Sequence, residues 1–279
     1  MIYLLTQIIE VAAEQAPDKD AFRFRDEALT YTELVARANR LANTLCQHGA
    51  VKGDRVGIFL PKCLETAVAV YGIMQAGCAY VPLDPKMPAA RLALIIQDCG
   101  IRHIVAGPGQ IASLRQLPET TPLEFVVGPD AGAALPFTVI PWSQVDQAPA
   151  HAPAVRLMEE DMAYLMYTSG STGEPKGMVH THHSGLSYAR LAADVYGLHG
   201  ADRLSDFPPL HFDQSTFGLF SGPLAMATTV VIPEEYMLLP ASLSQLMADE
   251  RITVWYSVPF ALIQLHLRGA LAQREMSAL

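Results

Sequence analysis

The stretch 164–177, YLMYTSGSTGEPKG, decides how this chain is read. Together with Ala163 it opens on an apolar run, AYLMY, that suits a buried strand of a parallel sheet. It then turns into Thr168-Ser169-Gly170-Ser171-Thr172-Gly173-Glu174-Pro175-Lys176-Gly177. Three glycines, four hydroxyl side chains and one lysine within those ten residues form the donor set of an anion cradle. Glycine lets the backbone approach a ligand closely. Successive N–H groups make an anion-binding nest. The hydroxyls add donors, and Lys176 adds a point charge suited to phosphate. The spacing is not that of a Walker A loop, because Glu174 and Pro175 separate Gly173 from Lys176. On residues alone, an ordinary Ser/Gly surface turn is the competing reading.

Upstream, 56–60 reads as a buried strand, 63–75 as a helix, 76–85 as a turn into a strand with an extended Pro-rich exit, 88–100 as a helix and 103–106 as a strand. That alternation predicts an α/β fold with a parallel sheet. Nearer the N-terminus, residues 4–14 place Leu4, Leu5, Ile8, Ile9, Val11 and Ala12 on one helical face. A strand over 21–25 precedes a turn at Asp26-Glu27, and Thr32 is the expected N-cap of a helix to His48. Residues 107–153 carry little beyond a strand candidate at 123–127 and a spacer, QAPAHAP, at 147–153. Downstream of the cradle, 178–182 returns as a strand and Ser184 is expected to cap a helix to about Tyr196. Strands are predicted over 203–207, 228–232 and 252–256, and helices through Ala227 and over 242–250.

A hydrophobic fraction of 51% is enough for a sizeable core, in one large domain or two small ones. The net charge of −9 excludes a basic nucleic-acid-binding face, but not a local phosphate cradle. Cys46, Cys63, Cys78 and Cys99 form no C-x-x-C pair and no metal-ligand spacing, and they read as reduced thiols of a cytosolic protein. His180, His182 and His183 are the one histidine cluster, read as a polar strand end in preference to a metal site. The N-terminus lacks a basic n-region, and the apolar run 252–267 is broken by Pro259, Gln264 and His266, so no membrane span is expected.

A second constellation is HFDQS, 211–215. Asp213 lies between the apolar Phe212 and Phe217 at the start of an apolar helix, where a buried carboxylate is costly without a partner. The bland reading is a helix-start carboxylate facing the dipole.

YTSGSTGEPKG resembles the signature loop of the adenylate-forming (AMP-binding) superfamily: acyl-CoA synthetases, luciferases and adenylation domains of nonribosomal peptide synthetases. QAGCAYVPLDP, 75–85, and LTYTEL, 29–34, are similar to further strings of that family, the first in the form met in amino-acid-activating members. FDQS resembles the F-D-x-S element whose aspartate pairs with a substrate α-ammonium. The resemblance implies ATP with Mg²⁺ as cofactor. It implies that Thr168, Ser169, Gly170, Ser171, Thr172, Gly173, Lys176 and Gly177 handle the departing phosphates. It implies that Phe212, Asp213, Phe217 and Tyr256 bind an amino acid, with two bulky aromatics favouring a compact side chain.

The family's Mg²⁺-holding glutamate, ribose-binding aspartate and catalytic lysine have no counterpart in 1–279, so neither a catalytic residue nor a metal ligand is assigned here. The expectation is therefore an incomplete N-terminal portion, inactive alone: an excised piece, a proteolytic product or half of a split enzyme. Its missing C-terminal half would come in cis or as a separate chain. The implied fold is α/β, with two similar lobes of parallel-rich sheet flanked by helices, roughly 1–50 plus 195–279 and 51–194, and without the small C-terminal domain. The implied partners are an amino acid and a carrier protein's phosphopantetheine thiol, in the cytoplasm, with neither nucleic acid nor membrane. The alternatives are an acyl- or aryl-CoA ligase fragment, for which Asp213 would have no role, and a non-catalytic nucleotide-binding or interaction module.

Overall fold

The computed structural model describes residues 1–128, 135–169 and 175–279. The chain begins with α1 (Thr6–Gln15), β1 (Asp20–Phe24), β2 (Glu27–Thr30), α2 (Tyr31–Gln47), β3 (Arg55–Phe59), α3 (Leu64–Gln75), β4 (Ala79–Pro82), α4 (Ala89–Cys99) and β5 (His103–Ala106). It continues with α5 (Ile111–Arg115), β6 (Phe125–Gly128), β7 (Thr138–Pro141), α6 (Trp142–Val145), β8 (Met162–Ser169), β9 (Pro175–Thr181) and α7 (His182–Val195). It closes with β10 (Arg203–Asp206), α8 (Gly222–Leu224), β11 (Thr228–Val231), α9 (Pro240–Asp249) and α10 (Pro259–Arg268).

Two compact units result. The first comprises Met1–Gln7, Leu34–Pro61 and Glu65–Gly185; the second comprises Ile8–Glu33, Lys62–Leu64 and Leu186–Leu279. The first unit holds a seven-stranded sheet in the order β7-β6-β5-β3-β4-β8-β9, parallel except for the antiparallel β8–β9 pair. Strands β4, β5 and β6 are buried along their whole length, as expected when helices cover both faces of a parallel sheet. Phe59, Leu92, Ile96, Ile104 and Val126 belong to one buried cluster there. The second unit holds a four-stranded sheet, β10-β11-β1-β2, in which only β1–β2 is antiparallel. Its core clusters form around Val230, Ile232, Leu243 and Met247, and around Leu204, Phe217 and Ala227. The α/β class with parallel-rich sheets is thus observed. The units differ from the expected lobes in placing 1–7 and 34–50 with the first sheet and 62–64 and 186–194 with the second.

Several local expectations are corrected. The N-cap of α2 is Thr30, not Thr32. Thr30 Oγ1 accepts from Glu33 N at 3.2 Å while Thr30 N donates to Glu33 Oε2 at 2.8 Å, a reciprocal capping box. Thr32 instead donates to the Pro17 carbonyl at 3.0 Å. Likewise Thr181, not Ser184, caps α7: its Oγ1 accepts from Ser184 N at 3.2 Å, and Ser184 Oγ accepts in return from Thr181 N at 3.0 Å. The expected strand 252–256 is reduced to a single parallel bridge, Leu204 to Val254. The expected spacer is fastened to α2: Asn39 donates to Ala150 O at 2.9 Å, and Asn43 to Pro149 O and His151 O at 2.9 and 2.8 Å.

Candidate functional site

Ligands of open α/β sheets bind beyond the carboxyl ends of strands, and both predicted sets of site residues follow such an end. In the first unit, β8 ends at Ser169 and β9 begins at Pro175. The antiparallel register sets Tyr167 opposite Gly177, Thr168 opposite Lys176 and Ser169 opposite Pro175. Thr168, Lys176 and Gly177 are exposed. The cradle residues Gly170, Ser171, Thr172 and Gly173 lie outside the described residues. The base of the loop is anchored by Tyr167, whose hydroxyl donates to Asp98 Oδ2 and stands 3.0 Å from Cys99 Sγ. Burial, and then the bond to Asp98, push this phenol above its usual range, so it remains a donor. Gly177 leaves room for that ring, because a Cβ there would stand 3.3 Å from Tyr167 Cζ.

In the second unit, β10 ends at Asp206 and the chain runs to Phe212 and Asp213, both exposed. The expectation of a buried Asp213 is therefore corrected: its side chain faces solvent. Its Oδ1 accepts from Gln214 N at 2.8 Å, so a helix-start contact exists. Thr216 Oγ1 donates to the Asp213 carbonyl at 2.6 Å, and Ser215 Oγ to the Leu210 carbonyl at 3.0 Å. The helix that follows contains a π turn, Phe217–Ser221, a distortion often found at functional sites. Phe217 is 1% exposed, and its ring lies 4.5 Å from Tyr256 and 5.5 Å from Tyr196. Tyr256 N donates to Ser205 Oγ at 3.3 Å. The structure thus brings Phe217 and Tyr256 into contact, with Asp213 one helical turn before Phe217.

Tyr188 and Tyr196 complete this aromatic wall and were missed from sequence. Tyr188 is hydrogen-bonded to the Tyr256 side chain, and burial, that bond and the nearby Asp213 charge raise its phenol pKa. A signal existed: Tyr188, Ala192 and Tyr196 recur every four residues, the repeat of one helical face.

The three clustered histidines do not converge. His180 stacks on Tyr164 at 4.5 Å, whereas His182 is buried and accepts from Leu5 N at 3.3 Å through Nδ1. Burial pushes His182 down to about 4, which keeps the ring neutral and able to accept. Among the described residues, the metal-ligand atoms that converge are on Glu159, Glu160 and His183, all exposed. None of these lies on β8 or β9. The described residues supply no Mg²⁺ ligand set at the cradle.

With this geometry in view, comparison with known proteins identifies the class. Residues 9–279 match the family model described as AMP-binding enzyme, and the chain belongs to that family. It is 32% identical over 258 residues to tyrocidine synthase 3 of Brevibacillus parabrevis, across 91% of this chain and 4% of that protein. It is 28% identical over 255 residues to the L-proline--[L-prolyl-carrier protein] ligase of Pseudomonas fluorescens, across 91% of this chain and 50% of that one. An AMPPNP-bound crystal structure of the nonribosomal peptide synthetase FmoA3 superposes with a TM-score of 0.84 at 32% identity, over 99% of this chain and 28% of that one. The chain spans half or less of the length of each of these relatives.

Proposed function

We propose that this chain is the N-terminal portion of an ATP-dependent enzyme that adenylates an amino acid. A carboxylate oxygen of the amino acid attacks the α-phosphorus of ATP. The bond from that phosphorus to the bridging oxygen breaks, and pyrophosphate leaves. The thiol of a carrier protein's phosphopantetheine then attacks the acyl carbon of the aminoacyl-AMP, and AMP departs. The protein's part in such chemistry is positioning and charge stabilisation. Thr168, Ser169, Gly170, Ser171, Thr172, Gly173, Lys176 and Gly177 would hold the departing phosphates. Asp213 would pair with the α-ammonium, beside Phe212, Phe217 and Tyr256. The activity is proposed for the enzyme that contains this chain, acting in the cytoplasm, rather than for the 279 residues alone.

The observation that carries this reading is Asp213 one turn before Phe217, at an aromatic wall of Phe217, Tyr256 and Tyr188. A carboxylate there has an obvious use against an ammonium and none against a fatty or aryl tail. The names of two relatives, a prolyl-carrier-protein ligase and a nonribosomal peptide synthetase, agree with it. The test is exchange of labelled pyrophosphate into ATP by the full-length enzyme, run across a panel of amino acids and plain carboxylic acids. Exchange driven by an amino acid is expected. Exchange driven only by fatty or aryl acids would move the CoA-ligase reading to first place, and ATP binding without any exchange would favour a non-catalytic module.

A further inference from the structure

Lys62 lies in the short segment Lys62–Leu64 of the second unit and is 8% exposed. Its ammonium faces the Asp206 carbonyl, the Pro208 carbonyl at 3.0 Å and Asp206 Oδ2 at 3.3 Å. A lysine ammonium has three donors, so each has an acceptor. The two carbonyls bracket the point where β10 ends and the run to Asp213 begins. The far end of that run is tied by the Ser215 and Thr216 hydroxyls, to Leu210 O and Asp213 O.

Asp206 also lies beneath the π turn that carries Phe217. A Cβ on Gly218 would stand 3.1 Å from Asp206 Cβ and 3.2 Å from its Oδ1, so a larger residue would press Asp206 aside by a few tenths of an ångström. Thr229 Oγ1 locks the same glycine by donating to its carbonyl at 2.8 Å. Burial pushes Lys62 toward its neutral amine and Asp206 toward its neutral acid, while their mutual attraction opposes both shifts. Asp206 Oδ1 finds no hydrogen-bond partner among the described residues. A buried pair of this kind is a poor stabiliser, since apolar residues of similar volume often do as well or better. An apolar pair, however, cannot grip two backbone carbonyls.

We propose that Lys62 is a positioning residue for the substrate site: its grip on the Asp206 and Pro208 carbonyls sets the exit of β10 and so the placement of Asp213 and Phe217. This rests on reading 212–256 as the acyl-substrate site. The test uses the double variant Lys62→Met, Asp206→Leu, which strands no lone charge, with Asp206→Asn as the control that keeps both carbonyl bonds. Hydrogen exchange on the chain itself should show amides of 207–216 opening about tenfold faster or more in the double variant, with β11 amides unchanged. Asp206→Asn, which keeps both carbonyl bonds but removes the Lys62 counter-charge, should exchange nearer to the parent than the double variant does. In the full-length enzyme, the double variant should raise KM for the preferred carboxylate about ten- to a hundredfold, with a smaller change in kcat. A folded double variant with parental exchange and parental KM would overturn the proposal. Should the double variant not fold, Lys62→Met alone, which removes every donor to the two carbonyls, decides under the same readouts in the same way. Both readouts use whichever carboxylate the enzyme prefers. A lack of amino-acid preference would therefore refute the amino-acid reading and leave Lys62 to be judged separately.

Discussion

Lys176 and Phe217 mark two regions that both follow the carboxyl end of a strand, β8 and β10, yet they are built differently. Lys176 is exposed on a two-strand ladder, held at its base by the bonds of Tyr167 to Asp98 and Cys99. Phe217 is 1% exposed and belongs to a core cluster with Leu204 and Ala227. In the first region the described cradle residues Thr168, Lys176 and Gly177 lie at the surface, apart from a core. In the second, the proposed pocket wall and the core share a side chain, so specificity and stability are coupled there.

The sharpest way to break this contrast is Phe217→Ala. Truncating a buried aromatic costs about 3–5 kcal/mol, and urea denaturation of the chain should show a loss of that size. A loss near zero would mean that Phe217 is not part of the core.

The next effect is one of pH, and it probes whether the first unit has buried anchors of its own away from the exposed loop. The folded-state pKa of His182, about 4, lies below that of a free histidine, about 6.5. Between those values the unfolded chain binds more protons, so the His182 contribution is fully present above about pH 6.5 and is lost as pH falls toward 4. The loss amounts to as much as about 3 kcal/mol. Burial lowers His103 as well and acts in the same direction. Denaturation at pH 7 and pH 4.5, for the parent and for His182→Asn, reads the share due to His182. An unchanged pH slope in the variant would contradict the assignment.

Lys176→Ala sharpens the other side of the contrast. Losing one charge-assisted phosphate contact is worth about 1.5–3 kcal/mol, so turnover of the full-length enzyme should fall roughly ten- to a hundredfold. Stability should move by less than about 0.5 kcal/mol, as for a surface position. A variant that melts early but turns over normally would make Lys176 structural. The smallest effect is Thr30→Ala, which removes the cap of α2 and should cost about 1 kcal/mol. Thr32→Ala should cost less, because Thr32 does not cap the helix, and the two together test the reassigned boundary.

What could be read from sequence follows the same division. Strands β8 and β9 were legible because their signal is local, an apolar run before the loop and a second run after it, whereas their antiparallel pairing was not read from the sequence. The cap errors at Thr32 and Ser184 share one cause. Each helix starts earlier than expected, and in each the capping hydroxyl lies three residues before its reciprocal partner, at Thr30 and Thr181. The 252–256 strand failed because β-branched composition alone does not supply ladder partners, and only Val254 finds one. The surroundings of Asp213 were least legible from the residues themselves. Phe217 and Tyr256 entered through the family resemblance alone, and Tyr188, which lies on a separate helix and feels the Asp213 charge, was missed.

The central claim is that Asp213 selects an α-amino group, and Asp213→Asn tests it most directly. Asparagine keeps an oxygen to accept from Gln214 N–H but removes the charge. In the full-length enzyme, pyrophosphate exchange is compared for an amino acid and its des-amino analogue. A polar contact that is buried with the substrate can reject the analogue lacking it by about 10⁴-fold, whereas apolar fit alone gives about 10–200-fold, so the claim requires substrate binding to desolvate the solvent-facing Asp213 carboxylate. The unaltered enzyme should therefore show the larger ratio and Asp213→Asn no more than the smaller. If the variant keeps the full ratio, or the unaltered enzyme prefers the des-amino acid, Asp213 serves only as a backbone acceptor at the start of its helix.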